Sequence, residues 1–414
     1  MPLESDFAPD DEGLHEALRL LIEAKRMPGT AHGDADQPPT VPDEWPGVGL
    51  GGRAALAALA DTALTRPTRL DHPGFFAHMD PPTPWVTWAA TQWAAAMNQN
   101  LLHPDSGPAA RALERRVVDW LAPSFGMDGG HLVPGSTVAN LTALWAAREL
   151  TGARRVIASA ASHLSIAKAA RILGLDYLAV PTDDTERMRV DLLPEDLGDA
   201  IVVLTAGTTA AGTVDPLDAA SHAAWRHVDA AWAGPLRLSS HAAVLEGIER
   251  ADSVAVSAHK WFYQPKESAL VLFADAARAH EAISVGGGYL AVPNVGLLGS
   301  HGAVALPLAA TLLAWGRDGL RARIDADMAL ARRLADRIVA EPSLELFAPP
   351  VTGVVVWRVR DADTARVRDS MRDAWVSTTT IDDEVWLRSV AANPLADPDL
   401  VVDAVLAAAA EATR

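Results

Sequence analysis

The chain has 414 residues, 49% hydrophobic and 21% charged, with a net charge of −18 and no cysteine. A chain this long exceeds one ordinary core, so two or three packed units are expected, and its apolar content excludes bulk disorder. The negative balance argues against nucleic acid or an anionic membrane as partner, and the lack of cysteine excludes disulfides, thiolate nucleophiles and cysteine-ligated metal.

Met1 to Glu12 is acidic and holds no apolar run, so a secretory leader is not expected. No stretch approaches ~18 uninterrupted apolar residues, which predicts no membrane span. With the absence of cysteine, this points to the cytoplasm. Leu14, Leu18, Leu21 and Ile22 recur at helical spacing and predict a helix over 13–26. Residues 27–50 are rich in Pro, Gly and Asp and read as an exposed connector. A short helix is predicted over 53–67, its alanine run (54–60) packed, followed by a turn at Asp71, Pro73 and Gly74. These stripes are too small to form a core, so 1–75 is expected to be an N-terminal arm that packs on another surface.

Between 76 and 302 helix and strand patterns alternate. Helices are predicted at 107–122, 137–151, 164–174 and 217–226, and strands at 155–158, 200–205, 226–229, 253–256 and 269–273. This predicts an α/β domain with a mostly parallel sheet. From about 303 a long helical stretch (303–340), strand candidates at 351–360 and 384–388, and a terminal helix at 398–413 predict a smaller α+β domain over 303–414.

Two strand ends carry the chemistry. Val254 and Val256 alternate toward His259 and Lys260, and thirty-one residues before Lys260 the run His227-Val-Asp-Ala-Ala-Trp232 places Asp229 at the end of a preceding strand. A lysine beside a histidine, with an aspartate on a preceding strand, is what pyridoxal phosphate chemistry requires. The amine forms a Schiff base, and the carboxylate keeps the pyridine nitrogen protonated so that the ring acts as an electron sink. Gly135, Ser136 and Thr137 open the helix over 137–151, where hydroxyls and the positive end of the helix suit a phosphate. His163 opens the next helix and can stack on a flat ligand, and Thr208 lies in a glycine- and threonine-rich turn over 205–215. Three glycines before Tyr289 read as a loop able to close over a site. Taken singly, Lys260 also reads as a surface lysine, Asp229 as a cap, His163 as a structural hydrogen-bonder and Ser136 as an ordinary N-cap.

In order from about His72 to Pro394, these motifs resemble the group II pyridoxal phosphate-dependent decarboxylases, the family of the aromatic-L-amino-acid, glutamate and 2,4-diaminobutyrate decarboxylases. The resemblance implies a fold-type I (aspartate-aminotransferase-like) α/β architecture and an obligate homodimer with its active site at the subunit interface. It implies decarboxylation of an L-amino acid to an amine and carbon dioxide. Lys260 is then the lysine of the internal aldimine, Asp229 the partner of the ring nitrogen, Ala231 a packing contact on the ring and His163 the residue stacked on its face. Ser136 and Thr137 hold the phosphate, Ser257 and His259 flank it, and Thr208 lies near the ring 3-oxygen. Tyr289 matches the loop tyrosine that reprotonates Cα, where related aldehyde synthases carry phenylalanine.

The segment 75–85 corresponds to the family's side-chain pocket, so His78, Asp80 and Trp85 are expected around the substrate. There Asp80 can receive a distal ammonium and Trp85 can pack a ring. The chain departs from the pattern at Val138, where relatives often carry a polar residue, and at His301, where several carry arginine. Trp386 to Ser389 and Asn393-Pro394 match the small-domain signature, and Arg388 receives no catalytic role. Residues 247–254 and 261–265 look closer to the 2,4-diaminobutyrate branch, while Trp261 is shared with the aromatic branch, so the amino acid stays open. So do two other readings: a pyridoxal phosphate-dependent lyase, aldehyde synthase or aminotransferase on the same cradle, and a decarboxylase-like scaffold without turnover. No metal site is expected.

Overall fold

A computed structural model describes residues 7–27, 29–33 and 41–412. Helix α1 (Asp11–Arg26) is capped by Asp10, whose carboxylate accepts the Gly13 N–H at 3.0 Å, with acidic residues in its first turn and basic ones in its last. Both arrangements complement the helix dipole. Helix α2 (Gly52–Ala60) forms as expected but buries none of its residues, so its alanine run is not packed within this chain. Helices α3 (Trp85–Met97) and α4 (Pro108–Leu121) then lead into the main sheet.

In chain order the main sheet and its helices are β1 (Gly129–Val133), α5 (Ser136–Thr151), β2 (Arg155–Ser159), α6 (Leu164–Leu173), β3 (Asp176–Val180), β4 (Ala200–Thr205), β5 (Trp225–Asp229), β6 (Ser253–Ser257) and β7 (Ala269–Phe273). The spatial order is β1-β7-β6-β5-β4-β2-β3, parallel from β6 through β3, with β7 antiparallel to both β6 and β1. Every residue of β4, β6 and β7 is buried, as expected for strands covered on both faces. Alternate residues divide between two cores. Val156, Ile201, Val203 and Val271 pack with α5 and α6, while Ile157, Val202, Val254 and Leu270 pack toward α4 and the long helix that follows.

After α7 (Ala276–Ala282), a two-stranded hairpin of β8 (Ser284–Val285) and β9 (Asn294–Val295) carries the glycine loop and Tyr289 at its tip. Helix α8 (Ala305–Val339) matches the long helical stretch but breaks at Gly316, whose φ of 62° and ψ of −176° suit only glycine. The chain closes with β10 (Leu344–Leu346), β11 (Val354–Val359), α9 (Thr364–Ser370), β12 (Ser377–Ile381), β13 (Glu384–Val390) and α10 (Pro398–Ala412). The four strands form an antiparallel sheet in the order β10-β11-β13-β12 over a third core.

The helix expected over 217–226 does not form. Ala220 turns left-handed at φ 57°, Ala219 and Ala223 close short turns, and Trp225 already belongs to β5. Sheet pairing of β5 overrides the helical propensity of the alanines there. Strands β1, β3, β10 and β12 were not foreseen, since glycine-rich, exposed-edge or three-residue strands show little period-2 pattern.

Candidate active site

The parallel strands bring the candidate residues together at one edge. Asp229 ends β5, Ser257 ends β6 with Lys260 three residues on, His163 follows β2, and Thr208 follows β4. All lie beyond the carboxyl ends of parallel strands, where open α/β sheets bind ligands. Across the opening, Gly135 at φ 97° starts α5, and the Ser257 hydroxyl donates to Ser136 Oγ at 3.0 Å. Thr137 is exposed one residue further on.

The Lys260 amine makes neither hydrogen bond nor ion pair among the described residues; the residue's carbonyl accepts the Tyr263 N–H at 2.8 Å. Desolvation depresses its amine pKa, against the attraction of Asp229 and Asp80. Asp229 is buried; its Oδ1 accepts the Ala231 N–H at 3.1 Å and its Oδ2 the Asn140 amide at 3.0 Å. His163 caps α6, with Nδ1 2.8 Å from Ser165 Oγ and accepting the Ser165 N–H at 3.2 Å. Burial lowers its pKa, opposed by Asp229. His259 places Nδ1 3.2 Å from the Ser268 carbonyl, and burial lowers its pKa to about 4. Thr208 is fully buried and its hydroxyl accepts the Thr213 N–H at 3.1 Å, so it closes its own turn and has only its O–H to offer a ligand.

The segment expected to line the substrate is threaded into the small sheet. Phe76 exchanges backbone hydrogen bonds with Trp375 and Val390, and Ser377 donates to the Ala77 carbonyl at 2.8 Å. His78 therefore sits edge-on to Trp375 at 5.5 Å, its pKa lowered by burial and then by Arg388. Asp80 is engaged by Lys266 in an ion pair. Arg388 is buried with no partner for its Nε, a cation that the sequence alone gave no role.

Two expected residues lie apart. Trp85 is 72% exposed at the start of α3, and Tyr289 is 76% exposed, its ring 6.5 Å from that of His103. Of the two departures from the motif, Val138 packs against the core beside α5, and His301 places Nδ1 2.8 Å from the Gly299 carbonyl. Sequence reasoning missed Asn140, whose signal was a polar residue one turn after Ser136 on an otherwise apolar helix face.

An unpartnered, desolvated amine, a buried carboxylate with acceptor capacity to spare and a helix N-terminus opening on space without protein atoms fit pyridoxal phosphate. The architecture is that of fold-type I pyridoxal phosphate enzymes. Residues 60–360 match the family model for the pyridoxal-dependent decarboxylase conserved domain. The chain is 33% identical to the L-2,4-diaminobutyrate decarboxylase of Rhizobium meliloti (strain 1021), over 90% of this chain and 84% of that protein. It is 28% identical to the aspartate 1-decarboxylase of Aliivibrio fischeri (strain ATCC 700601 / ES114), over 72% of this chain and 66% of that one. Its fold superposes on the crystal structure of Oryza sativa TDC with PLP and tryptamine with a TM-score of 0.88, at 22% identity and 99% coverage of both chains. The chain belongs to the pyridoxal-dependent amino-acid decarboxylases, and its cofactor is pyridoxal 5'-phosphate.

Proposed function

We propose that this protein converts an L-amino acid to its amine and carbon dioxide, with Lys260 as the amine that holds the cofactor covalently. The observation that carries this is Lys260 itself: desolvated, without a protein partner, and facing Asp229 across the carboxyl edge of the sheet. Bound pyridoxal phosphate supplies an electron-withdrawing ring that stabilises negative charge at the substrate Cα as carbon dioxide leaves. Desolvation enlarges the uncharged, nucleophilic fraction of the Lys260 amine at neutral pH. Asp229, held by two N–H donors, keeps a proton on the ring nitrogen, with Ala231 packed beside it, and His163 covers one face.

Ser136, Thr137 and Ser257 offer hydroxyls to the phosphate at the N-terminus of α5. His259 commits its Nδ1–H to the Ser268 carbonyl, so it donates to a phosphate oxygen only when protonated at Nε2; a neighbouring dianion raises its pKa toward that state. Thr208 is assigned to the ring 3-oxygen through its remaining O–H.

Charge bears on the substrate. Asp80 is already paired with Lys266, and Arg388 adds a second, buried cation near His78. This wall favours a carboxylate-bearing side chain, in keeping with the similarity to an aspartate decarboxylase. A distal ammonium, as in 2,4-diaminobutyrate, fits only if Lys266 releases Asp80.

Tyr289 is assigned the proton delivered to Cα, from a second copy of the chain. A homodimer is also supported by exposed apolar residues on two helices: Trp85, Trp93 (66% exposed) and Met97 (68%) on α3, and Leu14, Leu18 and Ile22 on α1. We read the chain as an arm (1–75), a cofactor domain (76–302) and a small domain (303–414), working in the cytoplasm. No helix among the described residues is long and apolar enough to cross a membrane.

The test is the pyridoxal phosphate-loaded protein against L-aspartate, L-glutamate, L-2,4-diaminobutyrate, L-lysine, L-tyrosine and L-tryptophan. Amine and carbon dioxide are expected in equal amounts, and Lys260→Ala should abolish both turnover and the visible absorbance of the bound cofactor. No carbon dioxide from any of these substrates would overturn the reading. The aldehyde-synthase alternative predicts aldehyde and peroxide from the wild type; the present reading predicts them only from Tyr289→Phe.

A further inference from the structure

Behind the carboxyl edge of the sheet lies a run of buried polar side chains that the catalytic assignment does not use. Asn140 on α5 stands at its centre, with His227 of β5, Ser253 of β6 and Trp225 of β5 on one side and Asp229 and Ser165 on the other. We propose that Asn140 is a positioning residue for the cofactor site: a single chain of hydrogen bonds starting at the Trp225 indole fixes, through Asn140, both the carboxylate of Asp229 and the tautomer of His163. The proposal rests on the assignment of Asp229 and His163 made above and names what sets their state.

The direction of the chain follows from its two ends. Trp225 Nε1–H is only a donor, and it gives its hydrogen to Ser253 Oγ at 2.8 Å. Ser253 has one other partner, His227 Nδ1 at 2.9 Å, so its hydroxyl hydrogen goes there. His227 is fully buried and neutral, its pKa pushed down to about 4 by burial, so its proton is on Nε2 and is donated to Asn140 Oδ1 at 3.0 Å. That leaves the two amide hydrogens of Asn140 for Asp229 Oδ2 at 3.0 Å and Ser165 Oγ at 2.9 Å. Ser165 then donates to His163 Nδ1 at 2.8 Å, and its backbone N–H reaches the same nitrogen at 3.2 Å. With Nδ1 accepting twice, neutral His163 carries its proton on Nε2.

The reverse direction fails at both ends. It would set Asn140 Oδ1 against the acceptor oxygen of Asp229 and leave the Ser253 hydroxyl hydrogen without a partner among the described residues. The amide orientation is thus settled by a donor-only indole at one end and an acceptor-only carboxylate at the other. Trp225, Ser253, His227, Asn140, Asp229 and Ser165 are buried, which shields the chain from competing water as far as the half-buried His163. The carboxylate of Asp229 is therefore held in one orientation, and His163 offers a single N–H to whatever lies over it.

Two measurements on the full chain test this. In protein labelled with 15N-histidine, with and without pyridoxal phosphate, His163 and His227 should carry their protons on Nε2 and His259 on Nδ1, resonances being assigned by single His→Gln variants. Ser165→Ala removes one of the two donors to His163 Nδ1 and should lower, without abolishing, the fraction of neutral His163 with its proton on Nε2. Asn140→Ala should do the same and weaken pyridoxal phosphate binding by about tenfold or more, as expected for losing a hydrogen bond to a charged group. Ser253→Ala should weaken it by a smaller factor although Ser253 faces away from the cofactor edge. If Asn140→Ala fails to fold, Asn140→Asp keeps its volume, and Ser165→Ala carries the tautomer arm. A His163 proton on Nδ1, or a folded Asn140 variant with the wild-type dissociation constant, would overturn the proposal. A purely structural role would lower the melting temperature of the cofactor-free protein and leave tautomer and affinity unchanged. Wild-type protein that binds no pyridoxal phosphate would sink the proposed function, while the tautomer measurement would still judge the relay.

Discussion

A carboxyl group buried with one oxygen unpaired is costly to ionise, and Asp327 of α8 is held in that condition. Its Oδ2 accepts the Tyr263 hydroxyl, its Oδ1 has no partner, and burial raises its pKa from 3.8 to about 7. Between these values the folded protein keeps a proton that the unfolded chain has lost. This contribution to stability is therefore full below about pH 4 and is lost as pH rises to about 7. Asp327→Asn keeps an acceptor for Tyr263 and cannot ionise. Its stability relative to wild type should rise by on the order of 1–3 kcal/mol between pH 4 and pH 8, measured by urea unfolding at both. A difference that does not change with pH would refute the assignment of that proton. Tyr263 also takes a left-handed φ of 58° three residues after Lys260, so this contact anchors the segment that presents the amine.

The same segment depends on how β11 approaches the large sheet. Trp232, just beyond β5, and Trp261, next to Lys260, lie with ring centroids 4.1 Å apart, their indole N–H groups held by Thr352 and the Ala391 carbonyl. Gly353 lies directly against them, and a Cβ there would meet Trp261 at 2.4 Å and Trp232 at 3.2 Å. Both rings are buried and anchored, so neither can yield. Gly353→Ala should destabilise the protein by about 1–3 kcal/mol and weaken cofactor retention, read by thermal unfolding and visible absorbance. Trp261 is thus a link between the large and small sheets.

At the scale of the molecule, a single chain is an incomplete enzyme in this reading, because Tyr289 and Trp85 face outward while Lys260 lies at the sheet edge. If Tyr289 serves the site of a second copy, Lys260→Ala and Tyr289→Phe subunits each form no amine alone but complement each other in amine formation. Co-expressed with different tags, they should give about a quarter of wild-type activity: half the dimers are hybrids, each with one intact site of two. Activity no greater than that of the separate variants would place Tyr289 in its own subunit's site or outside catalysis.

Much of this was legible before any coordinates. Asp229 ends one strand and Lys260 follows another, and the alternating apolar residues of those strands set where they end; that is local patterning, and a sequence carries it directly. The helix expected over 217–226 failed because alanine propensity is a weak preference that sheet pairing outweighs. Asn140, Ser253 and Gly353 were not legible as site residues. Their meaning lies in contacts with residues dozens to more than a hundred positions away, which form only when helix, sheet and small domain close on one another. Composition and motif thus pointed to the cofactor and to most of the parallel sheet, and Lys260 as its amine is proposed from the same motif. Only tertiary packing decided which buried hydrogen bonds orient that site and which candidate residues are left facing outward, because burial and hydrogen-bond direction are properties of the packed chain.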